Sequence, residues 1–437
     1  MSSAKDKEQM PIVGYCGPFT PDYVSPKGWK APDYLTDSCY QMIRESGINL
    51  ISWAPINYDD DPEGVLRSLE LAEQHDIALF IIDGGIKGNM TVKEMEERME
   101  PYRKFRSFKG LNLCDEPSAQ EYGPKSDRML ENYHELSRKV NSIQGVTGYI
   151  NLLAFHPDWI GVNGNTDWKE RPYFEQYVEE CCRDCAVKVL SEDYYIFDAH
   201  TVETSKDYFT NLEVLREYSQ KYNIPFWMYI QLGGQWNDGR EQVETEKYFP
   251  KPEEVIWNVN TSLACGAKGI AYFPLIQPIH FAYAPEGEMD FRRNGLIRAD
   301  GARSAWFDCT RKANDQIQAV GPYLVEAQHK QMVAKGYYAQ QNLPNAASSY
   351  GALKAVSLGD EANQYGTVIG CFAYEGRQAF YVVNNDVAEA QDITLYFDRE
   401  YSLTLVSAER SETDQADSCT MCLQPASAIL VLVDAIQ

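Results

Sequence analysis

Two acidic stretches stand out by residue type and spacing: Asp115-Glu116-Pro117, which ends the apolar run Leu111-Asn112-Leu113-Cys114, and Glu192-Asp193, which ends Val189-Leu190-Ser191. Two carboxyl groups facing one cavity are the apparatus for splitting an acetal. One protonates the departing oxygen, and the other assists at the carbon that turns cationic. Trp53, Tyr58, Trp159, Trp168, Trp227 and Trp236 offer aromatic faces of the kind that stack on a sugar ring. A carboxyl group beside another acid and beneath aromatic side chains is expected to hold its proton to unusually high pH, as a general acid must. Glu116 is the expected proton donor. Asp193 is the expected second carboxyl, and Glu192 is the other catalytic candidate, although it faces the opposite way if one strand runs through both.

These residues need a frame, and the chain provides a repeating one. Short β-rich runs alternate with longer amphipathic runs, the signature of a parallel sheet with crossover helices. The runs predict strands at 11–19, 48–55, 77–83, 109–115, 148–154, 188–194, 225–232 and 269–275. Between them fall helical periods over 36–45, 63–75, 92–106, 127–143, 173–186, 208–222 and 252–265, with a last helix near 302–323. Thr36-Asp37-Ser38 and Pro252-Glu253-Glu254 suit helix starts, and Gly266 suits a helix end. Eight such units in roughly 320 residues close most naturally into a (β/α)8 TIM barrel. Beyond about Glu326 the helical period stops and alternating strands follow, punctuated by turns such as Tyr374-Glu375-Gly376. The expected fold class is therefore α/β, with a barrel over 1–328 and a C-terminal antiparallel β-sandwich over 329–437 that braces its side.

In a β/α barrel the reactive groups sit at the C-terminal ends of strands and in the loops after them. Those windows supply the substrate-contact candidates Trp53, Tyr58 and Asp59 from the end of the second strand and Asp83 from that of the third. Further along they supply Asp115, Asn151, His156, Tyr195, Gln231, Trp236, Gln277 and His280. The windows are poor in phosphate-cradling glycines and hold no serine nucleophile elbow, so phosphoryl transfer and serine-esterase chemistry are disfavoured.

The segment Leu111-Asn112-Leu113-Cys114-Asp115-Glu116-Pro117-Ser118 resembles the acid/base signature of TIM-barrel glycoside hydrolases of the large retaining clan. In that clan a Glu before Pro at the fourth strand is the proton donor. Segments 149–153, 190–195, 224–231, 266–273 and 294–301 are similar to uncharacterised gut-bacterial barrel hydrolases, a resemblance that spans residues 10 to 330. Their sixth strand reads Ser-x-Asp-x-Tyr-Pro; Ser191, Asp193 and Tyr195 match, and Ile196 stands where proline is usual. The resemblance implies Asp193 as the partner of Glu116. One departure is sharp: clan members carry a second Glu at the end of strand seven, where this chain has Gln231-Leu232-Gly233-Gly234-Gln235-Trp236. The second carboxyl then comes from strand six, from a loop acid such as Glu286 or Glu288, or from the substrate itself. The Asp115-Glu116 pair is also similar to that of substrate-assisted hexosaminidases.

Composition narrows the remaining classes. The 437 residues carry a net charge of −24, a field that repels nucleic-acid backbones and anionic membrane surfaces. A neutral glycoside or oligosaccharide is the expected partner, and no cofactor is called for. Eleven cysteines, an odd number set mostly in apolar patterns, suit free thiols in a reducing compartment. The first ten residues contain no apolar signal core, so a cytoplasmic location is expected, with secretion open if a leader was removed. Two alternatives compete: a barrel that binds carbohydrate without cleaving it, and a metal-dependent hydrolase built on His156, His200 and His280. The second is weakened by Tyr15-Cys16-Gly17 on the first strand, where metal barrels carry His-x-His.

Overall fold

The computed structural model describes residues 9–25, 27–117, 130–154, 171–197, 200–233, 248–279 and 295–436. Eight parallel strands close into a barrel in chain order. They are β1 (Ile12–Tyr15), β2 (Leu50–Trp53), β3 (Ala78–Ile81), β4 (Phe108–Asp115), β5 (Thr147–Leu153), β6 (Leu190–Asp193), β7 (Phe226–Gln231) and β8 (Gly269–Phe273). The surrounding helices are α1 (Asp37–Glu45), α2 (Pro62–Gln74), α3 (Val92–Arg103), α4 (Glu131–Ser142), α5 (Arg171–Arg183), α6 (Lys206–Tyr222), α7 (Pro252–Ala264) and α8 (Phe307–Leu324). The expected helix signals are present. Thr36 caps α1 by accepting from the Cys39 N–H, Pro252 opens α7, and Gly266 follows its end at φ 99°.

The period of two along each strand sorts side chains into two cores. Val13, Tyr15, Leu50, Phe80, Tyr149, Val189, Trp227, Tyr229 and Ala271 fill the barrel lumen. Their neighbours one position on, such as Ile12, Ile51, Ile150, Leu152, Met228 and Ile270, join the larger core between sheet and helices. The lumen also carries polar atoms, and they satisfy one another. Ser52 meets the Tyr229 hydroxyl at 3.2 Å, Tyr229 meets Tyr149 at 2.9 Å, and Ser191 reaches Tyr149 at 2.8 Å and Asn151 at 3.0 Å. Buried hydroxyls left unpaired would each cost about 1–3 kcal/mol, so this chain fixes the strands' relative heights as well as filling space.

The C-terminal strands form one curled seven-stranded antiparallel sheet, β9 (Gln328–Lys335) and β10–β15, with the short helix α9 (Tyr337–Asn342) after its first strand. Its remaining strands are β10 (Leu353–Leu358), β11 (Thr367–Tyr374), β12 (Arg377–Asn384), β13 (Gln391–Val406), β14 (Ser411–Leu423) and β15 (Ala428–Asp434). Sequence expects separate strands at 393–397 and 403–407; they are halves of the single strand β13. Its register slips between Tyr396 and Tyr401, so the first half pairs with β10 and the second with β15. That bend folds the sheet into a sandwich-like shape around its own core of Leu353, Ile369, Phe380, Leu395, Met421 and Val431. The opposite face docks on α7 and α8. The Trp257 indole donates to Asn385, the Tyr381 hydroxyl to Asn260, and Gln316 to the Ala428 carbonyl. Among the described residues no helix is long and apolar enough to cross a membrane.

Candidate active site

Parallel pairing brings the acids together. In register, Asp115 on β4 lies beside Asn151 on β5, Leu153 beside Asp193 on β6, and Asp193 beside Tyr229 on β7. The acid candidates of β4 and β6 therefore meet at the C-terminal mouth, although 77 positions separate Glu116 from Asp193.

Glu116 sits one residue past the end of β4 with φ 46°, a left-handed backbone that costs a side-chain-bearing residue about 1–2 kcal/mol. Two contacts hold it there: the Glu116 N–H donates to the Asn151 carbonyl at 2.9 Å, and the Tyr177 hydroxyl of α5 donates to the Pro117 carbonyl at 2.6 Å. The side chain remains accessible to solvent, and its carboxyl group lies near enough to that of Asp193 to disfavour its charge. Asp193 itself is buried, 7% exposed, with its Oδ1 lacking a hydrogen-bond partner among the described residues and the Tyr195 hydroxyl nearby.

Electrostatics divides the roles. Burial holds the Asp193 carboxyl well above the usual carboxylate range, and the neighbouring Glu116 carboxyl pushes the same way, with Asp115 adding to it. Neighbouring carboxyls disfavour each other's charge, and burial adds to this on Asp193, which therefore keeps its proton. Asp115 is pushed up to about 6, first by the water that the mouth withdraws from it and then by the Glu116 charge. The neighbouring Tyr15 hydroxyl and the Asn151 amide, which donates to Asp115 at 3.1 Å, oppose that rise. The high-pH proton retention expected of this mouth thus falls on Asp193 and Asp115.

Aromatic rings wall the acids. Tyr15 stacks on Trp53 with centroids 4.9 Å apart and planes 6° from parallel, and it abuts Tyr229 and Phe273; Tyr195 stacks on Phe273 at 5.6 Å. Removing the Tyr15 hydroxyl while keeping its ring isolates its effect on Asp115. In Tyr15→Phe the carboxylate loses a nearby hydroxyl that favours its charged form, so Asp115 should titrate at higher pH. The expected result is an acid limb of the pH–rate profile displaced upward with the alkaline limb in place; an unmoved acid limb would separate Asp115 from the reaction.

The remaining sequence candidates divide three ways. Asn151 is in the cluster, donating to Asp115 and accepting from Ser191. Gln231 lies at the end of β7, buried, with its amide donating to the Gly233 carbonyl and its oxygen without a partner among the described residues. Gln277 is buried after β8, where its side-chain oxygen accepts from the Ala299 N–H. Glu192 is not in the cluster. Its strand neighbours Leu152 and Met228 belong to the sheet–helix core, where its carboxyl is fully buried with no hydrogen-bond partner among the described residues. Trp227 lies deeper in the lumen, at the far end from Glu116, and offers no face to the mouth.

Asp83, Asp59 and Tyr58 are drawn instead to Arg98 of α3. The Asp83 side chain has no exposed surface and receives Arg98 at 2.6–2.9 Å together with the Tyr102 hydroxyl at 2.8 Å. Asp59 bonds the same guanidinium at 2.7 Å, and Tyr58 packs edge-on against Tyr102. This cluster pins the loops after β2 and β3 to α3. Asp83→Ala is expected to cost about 2–3 kcal/mol in denaturant unfolding, the scale of hydrogen bonds to charged groups, without altering substrate affinity. His156, Trp236 and His280 lie outside the described residues, as do Trp159, Trp168, Glu286 and Glu288. Of the three candidate histidine ligands only His200 is described, and among the described residues no three His, Cys, Asp or Glu side chains are grouped to hold a metal ion.

Tyr15, Ser191 and Phe273 are not among the site residues expected from sequence. Tyr15 had a legible signal, a hydroxyl at the end of β1 in lumen phase; the Ser191–Asn151–Asp115 relay had none, because it depends on the relative height of two strands.

No family model and no curated protein sequence matches the chain. Among solved structures, it resembles a catalytic mutant of a GH42 β-galactosidase from G. stearothermophilus, with a TM-score of 0.56 at 10% identity over 97% of this chain and 98% of that one. It also resembles a β-galactosidase from Bacillus circulans sp. alkalophilus, with a TM-score of 0.55 at 10% identity over 98% of this chain and 100% of that one. The shared feature is the fold: the structural neighbours are TIM-barrel glycoside hydrolases, and this chain has their closed eight-stranded barrel.

Proposed function

We propose that the protein is a glycoside hydrolase that cleaves an O-glycosidic bond by carboxyl acid–base catalysis at the C-terminal mouth of the barrel. The observation that carries this reading is the meeting of Glu116 and the buried, proton-retaining Asp193 at one strand mouth, set among Tyr15, Trp53, Tyr195 and Phe273. In the resting site Asp193 keeps its proton. One proton transfer from Asp193 to Glu116 makes Glu116 the acid that protonates the leaving oxygen and Asp193 the carboxylate that faces the anomeric carbon. The cationic character developing there repays the ionisation of a buried acid. Glu116, at the solvent side, is the partner free to rotate toward the glycosidic oxygen as a sugar parts the two groups. Asp115, held by Tyr15 and Asn151, is placed to accept a ring hydroxyl or amide N–H. The barrel over 1–328 carries the chemistry, and the sheet over 329–437 braces α7 and α8.

Hydrolysis of a panel of nitrophenyl glycosides and oligosaccharides, with proton NMR of the first-formed anomer, tests the reading. Carboxyls that work about 5–5.5 Å apart retain configuration, and about 6.5–9.5 Å apart they invert it. A second reading, a barrel that binds carbohydrate without cleaving it, is favoured by the neutral amide of Gln231 at the end of β7. It predicts saturable oligosaccharide binding with no product from any member of the panel.

A further inference from the structure

The opposite end of the barrel contains a cavity of about 1130 Å³, ample for a small ligand. Its wall is built from the starts of the strands, from Pro11 before β1 round to Lys268 before β8, and from the last turns of α6 and the segment after α8. It shares no residue with the Glu116–Asp193 mouth.

Its charge is opposite to that of the molecule. Five cations line it, Arg106, Lys109, Lys188, Arg216 and Lys268, against the three acids Glu73, Asp76 and Glu326. The whole chain has 40 basic and 64 acidic residues, so the ratio is inverted here. Only Arg106 is closely paired, with Glu73 at 3.1 Å; Arg216 reaches Glu213 at 4.0 Å, and the Lys109 ammonium has no partner among the described residues. Lys188 and Lys268 point at backbone carbonyls, of Val146 and of Leu324 and Ala327. Burial pulls the Lys268 ammonium down to about 8, a cation short of counter-charge. The inner wall is apolar and aromatic, with Leu50, Phe80, Phe226 and Trp227. The buried Trp227 indole N–H has no partner among the described residues. Such a donor normally finds an acceptor.

We propose that this N-terminal mouth binds a small ring-bearing organic anion, a phosphate or carboxylate on an aromatic body, with the ring seated toward Trp227 and the anionic group among Lys109, Lys188 and Arg216. A macromolecular polyanion does not fit, because the net charge of −24 repels it outside the cavity.

Isothermal titration of the full chain with 1-naphthyl phosphate tests the site, with neutral 1-naphthol as control. The expected result is one saturable site that Glu116→Gln leaves intact and that 1-naphthol fills at least tenfold more weakly. Lys109→Met/Lys188→Met, at exposed positions, should weaken binding at least tenfold with an unchanged melting temperature, and Arg216→Gln provides a second route should that variant misfold. Absence of saturable binding, equal affinity for 1-naphthol, or affinity unchanged in the folded lysine and arginine variants would overturn the proposal.

Discussion

Glu116→Gln is expected to lower kcat on an unactivated oligosaccharide by on the order of 10³-fold, within the range that positioned proton transfer contributes. The amide keeps the size of the side chain but has no acidic proton to give. The loss should shrink on dinitrophenyl glycosides, whose leaving group departs without protonation, while oligosaccharide binding measured by calorimetry stays within a few-fold. An equal loss on both substrate types would place Glu116 outside proton donation, and no loss would remove it from the mechanism.

Asp193→Asn should have a comparable effect on turnover and an opposite effect on stability. Turnover falls on every substrate, activated or not, because the group facing the anomeric carbon can no longer carry negative charge. Stability follows from linkage. A carboxyl whose folded-state pKa lies far above its unfolded value near 3.9 favours folding when protonated. That contribution is complete below the unfolded value and is lost as pH rises toward the folded one. Asparagine carries no such penalty. The variant should therefore melt above the parent protein at neutral pH, with the difference vanishing toward pH 4. A variant that is less stable at pH 7 would show that Asp193 is not the strained acid of the pair. A site that gives up stability for reactivity is a common bargain in enzymes.

The parts of this structure legible in the sequence are those set by local periods. Strand and helix alternation predicts the barrel because each unit repeats the same burial problem, and the (β/α)8 order follows from it. The Asp-Glu-Pro end of β4 is visible for the same reason: an apolar run that stops in acids must open on solvent. Period two also separates Asp193 from Glu192. Where partners are remote, sequence gives less. Asp83 reads as a mouth residue because it ends the strand expected at 77–83, and only the fold shows Arg98 reaching across from α3 to occupy it. The strand β14 escapes notice because Ser411-Glu412-Thr413-Asp414-Gln415 carries almost no apolar signal; its backbone bonds to β13 along the whole length supply what its side chains do not. The short helix α9, six residues after a glycine at φ 105°, is likewise too brief to show a period.

The helix α7 has a consequence of its own. An outer barrel helix ordinarily keeps one wet face, yet here Glu254, Val255 and every residue from Trp257 to Ala264 are buried, with Asn260 bonded into the appended sheet. Severing the chain between barrel and sheet would lay bare a stripe of indole, amide and aliphatic groups shaped for company they no longer had. The two architectural parts are therefore a single heritable piece, to be shuffled, shortened or grafted only together.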